Sequence, residues 1–151
     1  AAIVLGAAAG VRVWATSRSE AKRARAVELG AEQAFETGAR LPERVDAVIE
    51  TVGQATWAHS LRALKPGGTL VVSGATSGEA PPAELTRVFF LQLRVLGSTM
   101  GSREELARLV QLCSDKDIRP VIQETIPLGD ARRGFEMMER GELFGKVVFV
   151  P

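Results

Sequence analysis

Four short runs rich in β-branched residues, VRVWAT (11–16), VDAVIET (45–51), TLVVSG (69–74) and RVLGST (94–99), are separated by longer stretches of helical periodicity. Strands that alternate with helices are joined by crossovers, and crossovers impose a parallel sheet with helices packed on its faces. A weaker run, AEQAFE (31–36), adds a short strand after the first. The spacing thus predicts an α/β chain with a parallel sheet and crossover helices.

The helical stretches carry their own boundary signals. Ser19 is a natural N-cap, EAKRARAVEL continues with good helix formers and Gly30 follows as a C′ residue, which predicts a helix over 19–29. In QATWAHSLRAL, Trp57, Ala58, Leu61 and Leu64 share one face, and KPGG ends the helix. Helices are also expected over 84–93, 102–113 and 130–141, with extended chain over 120–128 and a closing strand KVVFV. The opening AAIVLGAAAG reads either as a strand with a degenerate loop or as an Ala-rich helix ended by Gly10. Too few positions precede VRVWAT for strand, loop and crossover together, which favours the helix and a chain that begins in mid-fold.

At 151 residues the chain is one domain's worth of polypeptide, long enough to bury roughly 70% of its unfolded surface. A net charge of +1 offers no general attraction for nucleic acid or anionic lipid. One cysteine and one histidine cannot form an internal disulfide or a four-ligand zinc site. No apolar run approaches the roughly 20 residues of a membrane span, and the opening lacks a signal-like basic flank. These features point to a cytoplasmic protein that acts on neither membrane nor nucleic acid.

From AAIVLGAAAGVRVWATSRSEAKRARAVELGA through VDAVIETVG, LKPGGTLVVSGATSG, FFLQLRVLGSTMGS and FGKVVFVP, the sequence resembles the medium-chain dehydrogenase/reductase superfamily. Within it, the zinc-type alcohol dehydrogenase and quinone oxidoreductase branch is most similar. The resemblance implies a Rossmann-type doubly wound parallel sheet, of strand order 3-2-1-4-5-6, that in this chain lacks the first strand and its glycine-rich turn. It implies a partial NADP-binding domain over 1–118 and a C-terminal segment, 119–151, that returns toward a catalytic domain outside the chain. Zinc, in the zinc branch, would be held there and not here.

An acid at the end of the second Rossmann strand selects NAD, whereas a small hydroxyl with basic neighbours admits the 2′-phosphate of NADP. Ser17, Arg18 and Lys22 fit the second pattern. In isolation such cations also make an ordinary solvated helix face. Thr51, Val52 and Gly53 follow the next strand at the carboxyl edge where such crevices place ligands, and an ordinary strand-to-helix turn would use Gly53 equally well. The resemblance implies the nicotinamide half of the coenzyme near Ser73, Gly74 and Ala75, and similarly near Thr99 and Met100. It also implies a homodimer through the edge strand 94–99, which is apolar apart from Arg94.

Other residues are expected to be structural. His59 lies in mid-helix, away from any strand end; Cys113 shares a stripe with Leu106, Leu109 and Val110 that reads as core; Phe135, Met137 and Met138 read as core filling. Asp46 and Glu50 flank a buried strand without forming an evident carboxylate pair. The resulting expectation is the coenzyme-binding part of an NADP(H)-dependent oxidoreductase that moves hydride to or from a small alcohol, carbonyl, enone or quinone. LKPGGTLVVSG would also suit a Rossmann-like S-adenosylmethionine-dependent methyltransferase, although Ser17 and Arg18 are wrong for its ribose, and an incomplete fold would suit a non-catalytic nucleotide-binding domain.

Overall fold

The computed structural model describes residues 1–151 and contains the expected alternation. Helix α1 spans Ala2–Ala8, strand β1 Trp14–Thr16, helix α2 Glu20–Glu28 and strand β2 Gln33–Phe35. Strand β3 (Val45–Glu50), helix α3 (Gln54–Ala63), strand β4 (Leu64–Val72), helix α4 (Leu85–Phe90) and strand β5 (Arg94–Gly97) follow. Helix α5 (Arg103–Asp115), strand β6 (Ile122–Pro127), helix α6 (Ala131–Glu139) and strand β7 (Lys146–Val150) complete the chain.

All strand pairs are parallel: β1 with β2, the series β3-β4-β5, and β6 with β7. No strand bridges β1 and β3, the slot that the first strand occupies in a 3-2-1-4-5-6 sheet. The architecture is therefore α/β and Rossmann-like, in two sections, with β6 and β7 forming a pair of their own.

The opening residues are helical, and their small side chains have a packing reason. A Cβ on Gly6 would come within 2.7 Å of the Val13 side chain, and one on Gly30 within 2.8 Å of Ala7. Only small residues let α1 lie this close to β1 and to the end of α2. Ser19 caps α2 by accepting from the Lys22 amide, and Ser102 with Glu105 forms a reciprocal capping box on α5.

Two boundaries differ from the sequence reading. KPGG interrupts the ladder without ending it: β4 starts at Leu64, and the register with β3 shifts between Val45 and Ala47 to take up the extra residues. Helix α4 stops at Phe90, short of residue 93, because Gln92 turns into the left-handed region at φ 52°.

The core is small: Leu61, Leu64, Leu70 and Leu93 are buried between the β3-β4-β5 sheet and helices α3 and α4. The expected Cys113 stripe is not part of it. Leu106, Leu109 and Val110 are exposed, and Cys113 is half-buried, because no element of this chain packs closely on α5. Phe135 and Met138 are likewise exposed, so core filling by α6 is limited to half-buried Met137 and the contact of the Phe135 ring with Phe149, centroids 5.5 Å apart. Helical periodicity identifies an apolar face but not what covers it.

Candidate functional site

The expected site residues fall into two assemblies and one outlier. The first lies at the tip of β1. The Ser17 amide continues the pairing with β2 by donating to Phe35 O at 3.0 Å, and the Ser17 hydroxyl accepts from the Ser19 amide at 3.2 Å. Arg23, which the sequence reading left unassigned, donates to Ser17 O at 2.7 Å and to Arg18 O at 3.2 Å. It holds the backbone of the tip while the Arg18 side chain stays exposed and makes no ion pair.

Lys22 reaches across to the C-terminal segment, donating from Nζ to Gly141 O at 2.7 Å. A cleft of about 1020 Å³ lies between the two, lined on one side by Ser17, Arg18, Lys22 and Arg25 and on the other by Gln123, Gly141, Glu142 and Phe144. Arg25 is engaged with Glu28, and Glu142 with Arg140. The cleft is thus lined by two cations without a carboxylate partner and by no unpaired acid. Its far wall could not be read from sequence, since it comes from residues about a hundred positions away.

The second assembly joins the ends of β3 and β4. The Ser73 amide donates to Glu50 O at 2.9 Å, the Gln54 amide to Gly78 O at 3.1 Å, and the Ser77 amide to Val52 O at 2.7 Å. The Ser77 hydroxyl donates to the same Val52 carbonyl and accepts from the Ala55 amide at 2.9 Å. The loops 51–53 and 73–78 therefore form one platform, in which Thr51, Val52, Gly53, Ser73, Gly74 and Ala75 come together. Close approach explains both glycines: a Cβ at Gly74 would sit 2.7 Å from Thr51 O, and one at Gly53 would sit 2.5 Å from Gly78 O.

Thr99 and Met100 follow β5, which pairs with β4, but both are exposed, and neither is hydrogen-bonded by its side chain to the platform. They are beside the assembly rather than within it.

Glu50 is the residue that the sequence reading passed over. It is 3% exposed and no cation pairs with it. One carboxylate oxygen accepts from the Val52 amide (2.8 Å), the Gly53 amide (3.1 Å) and the Thr56 hydroxyl (2.8 Å); the other accepts from the Ser60 hydroxyl. Burial pushes its pKa up, but the donors from Ser60, Val52, Gly53 and Thr56 outweigh burial and hold it below the usual carboxylate value. The available signal was Thr56 and Ser60, one turn apart on α3 and both able to donate. Asp46 behaves quite differently: it is exposed and pairs with Lys65.

A depressed folded-state pKa stabilises the fold above the unfolded value, and the contribution is lost as pH falls through the folded one. The melting-temperature gap between the natural protein and Glu50→Gln is therefore expected to be constant above about pH 5 and to shrink below about pH 4.3. Thermal unfolding followed across this range checks it; a gap that widens on acidification would contradict the assignment.

His59 bonds Ala39 O at 2.8 Å and ties α3 to the loop after β2, away from both assemblies. No three His, Cys, Asp or Glu side chains cluster to hold a metal, and no helix is long and apolar enough to cross a membrane.

Residues 1–115 match the family model described as zinc-binding dehydrogenase. The zinc-type alcohol dehydrogenase-like protein YogA of Leptosphaeria maculans is 34% identical over 97% of this chain and 46% of its own length. NADP-dependent alcohol dehydrogenase 6 of Saccharomyces cerevisiae is 28% identical over 93% of this chain and 41% of its own. The crystal structure of an NAD-dependent alcohol dehydrogenase superposes with a TM-score of 0.89 at 30% identity, over 99% of this chain and 47% of that one. The chain thus spans somewhat under half the length of the relatives it matches, and their names divide between the two coenzymes. These matches decide against the methyltransferase alternative: the chain belongs to the zinc-binding dehydrogenase family.

Proposed function

We propose that this chain is the coenzyme-binding part of an NADP(H)-dependent oxidoreductase that transfers hydride to or from a small alcohol, carbonyl, enone or quinone. The observation that carries the coenzyme preference is the cleft at the tip of β1, where Arg18 and Lys22 lack carboxylate partners and no acid stands at the strand end. A guanidinium grips phosphate bidentately and an ammonium adds a point charge. The fit is supported by the geometry: Lys22 gives up only a carbonyl contact to face a phosphate, and the Ser17 hydroxyl lines the same cleft.

The nicotinamide, when bound, supplies the hydride chemistry. This chain's own residues bind and orient it: Thr51, Val52, Gly53, Ser73, Gly74 and Ala75 as a rigid platform, with Thr99 and Met100 at its margin. The division at residue 118 follows the β6-β7 pair, which stands apart from the other strands. The residues here do not fit a zinc ion, so any metal would be held outside this chain. The proposal includes a cytoplasmic setting, in which the single thiol, Cys113, stays reduced.

The test is Arg18→Ala with Lys22→Ala in the natural full-length protein. NADPH affinity is expected to fall at least tenfold, about 1.4 kcal/mol, and NADH affinity to change less than twofold. Equal losses for both coenzymes, measured by fluorescence titration, would refute the phosphate assignment.

We also propose a homodimer through β5, which has a free edge and exposes Val95 and Leu96. Light scattering is expected to give a dimer that Leu96→Lys dissociates. A monomeric natural protein would overturn this.

A further inference from the structure

Resting on the coenzyme reading above, we infer that Glu50 is a positioning residue: its buried carboxylate binds the Val52 and Gly53 amides that lead into α3 and fixes the loop 51–53 in the shape presented to the coenzyme.

The free N–H groups at the start of a helix ordinarily attract an anion, which is how phosphates bind to nucleotide folds. Here the Val52 amide and that of the N-cap Gly53 donate to Glu50, while the first helical amides, of Gln54 and Ala55, donate to Gly78 O and Ser77 Oγ of the facing loop. Thr56 and Ser60, facing β3 from the helix, complete the shell. With no cation beside it, the carboxylate owes its ionised state to these four donors alone. The start of α3 is therefore closed to an external phosphate.

What remains on offer differs. The Val52 carbonyl is taken by Ser77, and the Gly53 carbonyl accepts from the Thr56 and Trp57 amides, both at 3.0 Å. The loop can present only side chains of Thr51 and Val52 and the Thr51 backbone, a surface suited to an uncharged ring rather than a phosphate. Glu50, together with Ser77 and Gly78, thereby leaves no amide here for the phosphates of a dinucleotide, and Glu50 holds this loop rigid against the uncharged end. It touches neither ligand nor reacting atom and acts through the backbone it holds.

Two variants of the natural full-length protein test this, Glu50→Gln and the milder Thr56→Val, which removes one donor at nearly constant shape. In Glu50→Gln, hydrogen exchange over residues 51–56 is expected to accelerate at least tenfold. The dissociation constant and KM for NADPH should rise at least fivefold, with a smaller effect on kcat. Thr56→Val should move both in the same direction by less. Should Glu50→Gln fail to fold, Thr56→Val decides alone. Folded variants with natural exchange and natural NADPH affinity would overturn the assignment, as would faster exchange without loss of affinity. A natural protein that binds neither NADPH nor NADH would overturn the coenzyme reading itself, a result distinct from either.

Discussion

Gly53→Val is expected to destabilise the protein by about 3 kcal/mol and to remove most coenzyme affinity, because it combines backbone strain with overpacking, each costing on the order of 1–3 kcal/mol. Gly53 has φ 90° and ψ −130°, a conformation from which β-branched side chains are excluded. Its added Cβ would meet Gly78 O at 2.5 Å and the Ala75 Cα at 2.9 Å. Both are backbone atoms of the opposing loop, so relief requires separating the loops and breaking the bonds that lace Val52 to Ser77 and Gln54 to Gly78. Gly129→Ala is the control, since Gly129 has an ordinary φ and open space around it. Its expected change is within about 0.5 kcal/mol. Denaturant unfolding of both variants checks the contrast; a Gly53→Val protein as stable as the natural one would show that the two loops are not one unit.

Leu70→Ala is expected to cost about 3 kcal/mol, within the range of about 2–5 kcal/mol for buried leucine truncations. Leu70 is fully buried at the centre of β4, paired with Val48 on one side and Val95 on the other. Few side chains share the load, since only 12 of 151 residues are buried. A collapse of neighbours into the hole is resisted by Leu61 and Leu64, which are themselves fully enclosed. Leu106→Ala, equally apolar but 61% exposed on α5, is expected to change the stability of the 151-residue chain by less than about 0.5 kcal/mol. Similar losses at the two leucines would mean that α5 is covered after all.

The fold was largely legible because its signals are local. Ser19 and Ser102 cap their helices through residues three positions away, and the apolar runs that form β1 to β7 differ in period from the helices between them. The platform was also legible in outline, since glycines after strands mark places where backbones come close. Arg23 and Glu50 were not. Both look like ordinary charged residues until their partners are known: Arg23 turns back onto two carbonyls, and Glu50 is surrounded by donors from a loop and a helix.

The order of elements, the helix caps and the small residues at close approaches follow from the amino-acid sequence alone, because each depends on neighbours along the chain or on steric limits of a single residue. Which charges are buried and which apolar faces stay open was decided only by the tertiary structure. The Lys22 contact with Gly141 and the exposed face of α5 depend on elements distant in sequence, and the energy of a charge or an apolar surface is set by what surrounds it in space.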